Sequence, residues 1–212
     1  MAPAPTCPRC EAAVRPPGLW SSQWQCPRHG LVLPYTVYTH LGAEALQHIR
    51  SRAAVPLWLP NPLPPGWVVS GLAAAGDDRS GARATVLACS GPGPLGGGAD
   101  LLLIAEEPGV GLGARYAGLP GPDPGEQFDD GPPDAKVQAA GHPTALWNIA
   151  GAEDRAVFLG EAKGLWLWGV LCPSSAGVLF YENLVLEDLR ERQLEGELEF
   201  GSPTPLLTAR PA

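Results

Sequence analysis

The chain has 212 residues, a net charge of −8, a pI near 4.9 and 45% hydrophobic residues. That is room for one ordinary domain plus a small appendage. Apolar runs such as 101–105 and 165–171 are too short to cross a bilayer. An acidic balance is poor for phosphate contacts, so neither a membrane span nor nucleic-acid binding is expected.

Charge is uneven. Residues 1–52 hold five arginines against Glu11 and Glu44, a net of +3, while residues 53–212 hold nine Lys/Arg against 20 Asp/Glu, a net of −11. The opening Met1-Ala2-Pro3-Ala4-Pro5 lacks the cationic start and apolar core of a secretion signal. With an odd number of cysteines, five in all, a cytoplasmic, reducing compartment is expected.

The head of the chain carries the clearest chemistry. Cys7-Pro8-Arg9-Cys10 and Cys26-Pro27-Arg28-His29 are two knuckles separated by residues 11 to 25. A two-residue spacer lets both side chains of a knuckle turn toward one point, and two knuckles supply the tetrahedron zinc needs. Pro8 and Pro27 fix φ at each turn, and Gly30 frees the residue after His29. Cys7, Cys10, Cys26 and His29 are therefore the expected ligands of a structural Zn2+. Four protein ligands leave no open position for substrate. The competing reading is a disulfide or free thiols. Cys89 and Cys172 lie in apolar runs and are expected to be buried free thiols.

Residues 1–38 are thus expected to form a zinc ribbon, with Val14, Leu19, Trp20 and Trp24 packing beside the metal or against the larger domain; the alternative is a base-stacking or protein-docking surface. Residues 39–55 read as a linking helix. Leu41, Ala45, Leu46 and Ile49 recur at helical spacing over 41–54, Arg50 and Arg52 suit the C-terminal end, and Val55-Pro56 stops it. Residues 56–66 are proline-rich and are expected to lie extended on the surface.

A β-rich domain over 56–200 follows. Strands are expected at 67–75, 82–89 and 100–106, the last central and covered on both faces. The 76–81 stretch is a hairpin loop by composition, so Asp77, Asp78 and Arg79 read as a solvated turn. Residues 107–134 form a long Gly/Pro-rich loop, and such loops are usually functional or disordered. Gly109-x-Gly111-x-x-Ala114 matches a relaxed dinucleotide fingerprint, but that motif must open a helix, and the prolines from 120 onward argue against one. Arg115 and Tyr116 are the candidate ligand-binding residues here, with Arg115 as a clamp on an anion. The alternative is a cover over the sheet edge. Strands at 136–140 and 144–149 flank Gly141-His142-Pro143. A hairpin joins 155–161 to 165–172, with Trp166 and Trp168 on one face and Leu165 and Leu167 on the other. Residues 182–193 read as a second helix and 201–212 as a loose tail. No catalytic triad is evident.

The Cys7-to-Cys10 head, Leu63-Pro64-Pro65-Gly66-Trp67, Gly76 to Gly81, Glu106 to Gly118, and Gly164 to Trp168 together resemble an uncharacterised actinobacterial protein family over nearly the whole chain. Some of its members carry a phosphotransacetylase label. The Leu-Pro-Pro-Gly-Trp entry into a strand meander also resembles domains of bacterial lipoproteins and anti-sigma factors, which implies a curved antiparallel sheet.

The fold class expected is α+β: an N-terminal zinc ribbon followed by a mainly antiparallel β-sheet domain with about two helices. The expected function is non-enzymatic: an interaction or regulatory protein with another protein as partner. Two alternatives are an enzyme acting on an anionic small molecule at the 107–134 loop, and a ligand site in the curved sheet lined by Trp67, Trp147, Trp166 and Trp168.

Overall fold

The apolar runs become strands whose two faces both find cover. The computed structural model describes residues 4–19, 21–126, 128–191 and 198–207. In chain order they form β1 (Gln25–Cys26), β2 (Gly30–Leu31), β3 (Tyr35–Val37), helix α1 (Ala43–Arg52), β4 (Trp58–Pro60), β5 (Val68–Asp77), β6 (Gly81–Pro92), β7 (Gly98–Glu106), helix α2 (Leu112–Ala117), β8 (Ala135–Ala139), β9 (His142–Ile149), β10 (Ala156–Ala162), β11 (Leu165–Cys172), a 3-10 helix (Ser174–Tyr181) and β12 (Val185–Asp188).

Strands β1 and β2 belong to the head. The other ten make one sheet in the order β3-β5-β6-β7-β11-β10-β9-β8-β12-β4. Every pairing is antiparallel except β12 with β8. The sheet turns back on itself, so β4 packs against β6 and β7, and Thr85 Oγ1 donates to the Pro56 carbonyl. The architecture is the α+β class the sequence implies.

Alternation along the central strands sorts side chains to two cores. Leu87, Leu101, Leu103, Leu167 and Leu171 face the concave side, with Phe158 and Phe180. Val86, Leu102, Ile104, Trp168 and Val170 face the other side, with Leu112 and Tyr116. Each such side chain contributes about 1.5–3 kcal/mol when fully buried. Trp166 and Trp168 share the second face, and the predicted hairpin turns at Lys163-Gly164. Asp77 is a turn residue as expected: its Oδ1 accepts the N–H of Arg79 and of Ser80 at 3.0 and 2.9 Å.

Four expectations are corrected. Residues 182–193 do not form a helix over their described part: Val185–Asp188 is a strand between β8 and β4. Leu186 is buried while Val185 stays exposed, so the stretch follows a two-residue period, and two open strand edges outweigh weak helical periodicity. Residues 192 and 193 lie outside the described residues. The proline-rich stretch is not a surface extension, because Leu57, Trp58 and Leu59 are buried and β4 pairs with β12. The tail is not loose through 207: Gly201 N–H donates to Val69 O at 2.9 Å, and Leu207 is buried against Gly71, while 208–212 lie outside the described residues. Finally, the Gly-rich loop does contain a helix, α2, six residues long.

The four tryptophans do not line one cavity. Trp67 joins the concave core, under Gly91. Trp168 is buried on the opposite face, and Trp166 and Trp147 meet Phe128 at 5.3 and 5.8 Å between ring centroids.

Candidate metal centre

Two turns bring the head's ligands together. Cys7 and Cys10 bracket a turn closed by Glu11 N–H to Cys7 O at 2.9 Å. Cys26 ends β1 and His29 sits in the turn to β2, where Gly30 takes φ +65°. The side-chain donor atoms of Cys7, Cys10, Cys26 and His29 all lie within 4.8 Å of one another. Cys10 Sγ is 3.7 Å from Cys26 Sγ, and His29 Nδ1 is 3.5 and 3.7 Å from the sulfurs of Cys7 and Cys26. A tetrahedron of thiolates at a zinc–sulfur distance of 2.3 Å has edges of about 3.8 Å, so the spacing suits a metal ion. A disulfide needs sulfurs at about 2.05 Å, and all five cysteines are free.

The two buried thiols differ. Burial pushes Cys7 up to about 12. Burial also pushes Cys26 up, but the N–H groups of Arg28 and His29 outweigh it and bring it down to about 6. Arg28 N–H reaches Cys26 Sγ at 3.4 Å. A cation therefore meets one ligand already as thiolate at neutral pH.

The same knuckle clamps the Gly-rich loop. Arg9, between the first two ligands, donates to the carbonyls of Val110, at 3.2 Å, and Gly109. Glu11, next after Cys10, pairs with Arg115. The Arg115 guanidinium lies 4.3 Å from the Tyr116 ring centre and 4.8 Å from that of Tyr35. The two tyrosine hydroxyls meet at 2.6 Å. A Cβ on Gly111 would fall 2.9 Å from the Arg9 side chain and 3.0 Å from Pro122, so the close approach itself requires glycine. The ribbon and the loop are thus one packed seam.

Helix α2 has its own acceptor. The N–H groups of Leu112 and Gly113 donate to the Glu106 carboxylate at 2.8 and 3.1 Å. Glu106 is fully buried at the end of β7. The dinucleotide-like glycines do open a helix, but its first donors are occupied from within. Asp123 fixes the far side, accepting from Gly109 N–H at 2.7 Å and Trp166 Nε1 at 3.1 Å.

Burial pushes the Glu106 carboxyl up to about 7, against the N–H bonds of Leu112 and Gly113, and the nearby Asp123 charge adds to the rise. Its ordinary value is 4.5, so the folded chain keeps a proton that the unfolded chain loses between these values. Stability is then expected to fall as pH rises through that window, by about 3 kcal/mol from this group. Urea unfolding at pH ~5 and ~8 should show that Glu106→Gln, which cannot ionise, flattens this dependence relative to wild type. Identical slopes would contradict the assignment.

The predicted residues therefore divide clearly. The four metal candidates converge, Arg115 and Tyr116 face the ribbon, and His142 is exposed at the start of β9. Sequence reasoning missed Glu106, Glu11 and Tyr35. The signal for Glu106 was its place at the end of the Leu101–Ala105 run, where a charged residue is buried only if its hydrogen bonds are made.

No curated protein and no solved structure matches this chain. A family model does, over residues 1–207. The chain, from its cysteine head to the buried Leu207, belongs to the family described as a family of unknown function, DUF6758.

Proposed function

We propose that the protein is a non-enzymatic interaction or regulatory protein, with the head as a zinc ribbon that presents a docking face. Two exposures carry the reading: Leu19, against the packing expected of it, is 100% exposed, and Leu31 is 57% exposed, in a module with little core of its own. Large apolar side chains left in water on a rigid element are what a partner covers. Zinc is the metal that best suits three thiolates and one imidazole with no open position. Its part there is structural, holding Cys7, Cys10, Cys26 and His29 in one geometry. Free thiols throughout fit a reducing, cytoplasmic setting.

Arg115 and Tyr116 serve the ribbon in this reading, not a separate small molecule. Support comes from the pairing of Arg115 with Glu11 and of Tyr116 with Tyr35, and from the Glu106 carboxylate standing where an anion would sit. A phosphate-transferring enzyme would need those same donors for substrate. The test is purification from the native host without chelator, beside a Leu19→Asp, Leu31→Asp variant. A protein partner retained by wild type and lost by the variant, at equal metal content, is expected. A co-purifying small anion displaced by Arg115→Met would contradict the reading.

A further inference from the structure

The docking face of the ribbon and a second surface of the same chain are chemically complementary. Arg15 pairs across the ribbon with Gln25, and Gln25 with Leu31. Directly opposed residues share a sheet face, so Arg15 and Leu31 stand on one side. Leu19 lies in the turn between the bridged residues Gly18 and Ser21, and Arg28 in the turn between β1 and β2. Arg15 and Arg28 are exposed, and neither forms an ion pair among the described residues.

The second surface is an open cleft of about 840 Å3 between the end of the Gly-rich loop and β9. Its apolar wall is Phe128, Trp147 and Ile149, and its rim carries Glu126, Asp130 and Asp134, with no Lys or Arg in the lining. Phe128 and Trp147 meet edge to face, and Trp147 Nε1 is spent on Gly131 O at 3.1 Å. Asp134 spends one oxygen on Asn148 N–H at 2.8 Å. Glu126 and Asp130 make no ion pair among the described residues.

We infer that the cleft receives the ribbon face of a second copy of this chain. Leucine would cover the aromatic wall, while arginine would meet the rim carboxylates and stack on the half-buried Trp147 indole. The two patches are unlike, so each contact sets the ribbon of one copy against the cleft of another. It rests on the reading of the ribbon as a docking module and names its partner.

Sedimentation velocity of the full, metal-loaded chain over a concentration series tests it, at low and high salt. Wild type should self-associate, more weakly at high salt because the pairs are exposed. Arg15→Glu with Arg28→Glu should weaken association about tenfold or more, since like charges then face each other. Glu126→Lys with Asp130→Lys should do the same. Mixed together, the two reversed variants should associate again, and a chain carrying all four changes, in which no native patch remains, should self-associate as wild type does, which loss of fold at either patch could not produce. A monomeric wild type at low salt, or association that survives either reversal, overturns the inference. Metal content measured on each sample separates that failure from failure of the ribbon itself.

Discussion

Cys26→Ala is expected to cost the protein its metal and to unfasten the ribbon from the sheet. Structural zinc sites contribute about 10–16 kcal/mol of apparent binding energy, and in small modules this is folding energy. The head has little else: among its described residues Cys7, Pro8, Cys26, Pro34 and Tyr35 are the buried apolar side chains, and β1 and β2 are two residues each. Removing one ligand leaves three, too few to close a tetrahedral site. Arg9 lies within, and Glu11 directly after, the knuckle that carries Cys7 and Cys10, so their hold on Gly109, Val110 and Arg115 should loosen too. Hydrogen exchange should therefore rise over 4–38 and also over 109–118, while β6, β7 and β11 stay protected. Fast exchange confined to the head would mean that the seam is not coupled to the metal. Unchanged exchange in the head would mean that the ribbon stands without it.

Asp188→Ala is the second large effect, an expected loss of about 3–5 kcal/mol, because it strands buried and half-buried cations and donors. The Asp188 side chain is 1% exposed. It accepts from the Arg190 guanidinium at 2.7 Å, from Arg190 N–H at 3.1 Å, from Leu57 N–H at 3.2 Å and from Lys163 Nζ at 3.4 Å. Arg190 passes the tie on to Ala54 O at 2.8 Å. One carboxylate thus joins β12, the lead into β4 and the β10–β11 turn, where the sheet folds back on itself. For a chain of this size the cost corresponds to a Tm lower by roughly 10 °C. Burial pushes the Asp188 carboxyl up, but the Arg190 bonds outweigh it and hold it below the usual carboxylate range. Its contribution is therefore present at neutral pH and is lost as pH falls below that range. Asp188→Asn, which keeps the shape, should recover part of the stability in thermal melts. A melt of Asp188→Ala that overlays wild type would show that the network contributes nothing net.

What the sequence revealed was what local chemistry dictates. Two knuckles with two-residue spacers identify a candidate metal cluster because ligand geometry is set within each knuckle. The Leu101–Ala105 run announces a central strand because both its faces are apolar. The pattern could not say where the ribbon docks. Arg9 and the Val110 carbonyl, like Glu11 and Arg115, are about a hundred positions apart in the chain, and a pairing set by tertiary packing leaves no periodic trace. The β12 segment shows the same limit: Leu184, Val185 and Leu189 fit a helix by spacing, and only the open edges of β8 and β4 make it a strand. Arg115 looks like a free anion clamp in sequence, because its counter-charge, Glu11, lies beyond the horizon of any motif.

The most direct test of the account is native mass spectrometry of the full chain, purified without chelator, with elemental analysis of the same sample. The account predicts one zinc per chain, lost in Cys26→Ala. A wild-type chain that carries no metal, yet keeps slow exchange across residues 4–38, would contradict it.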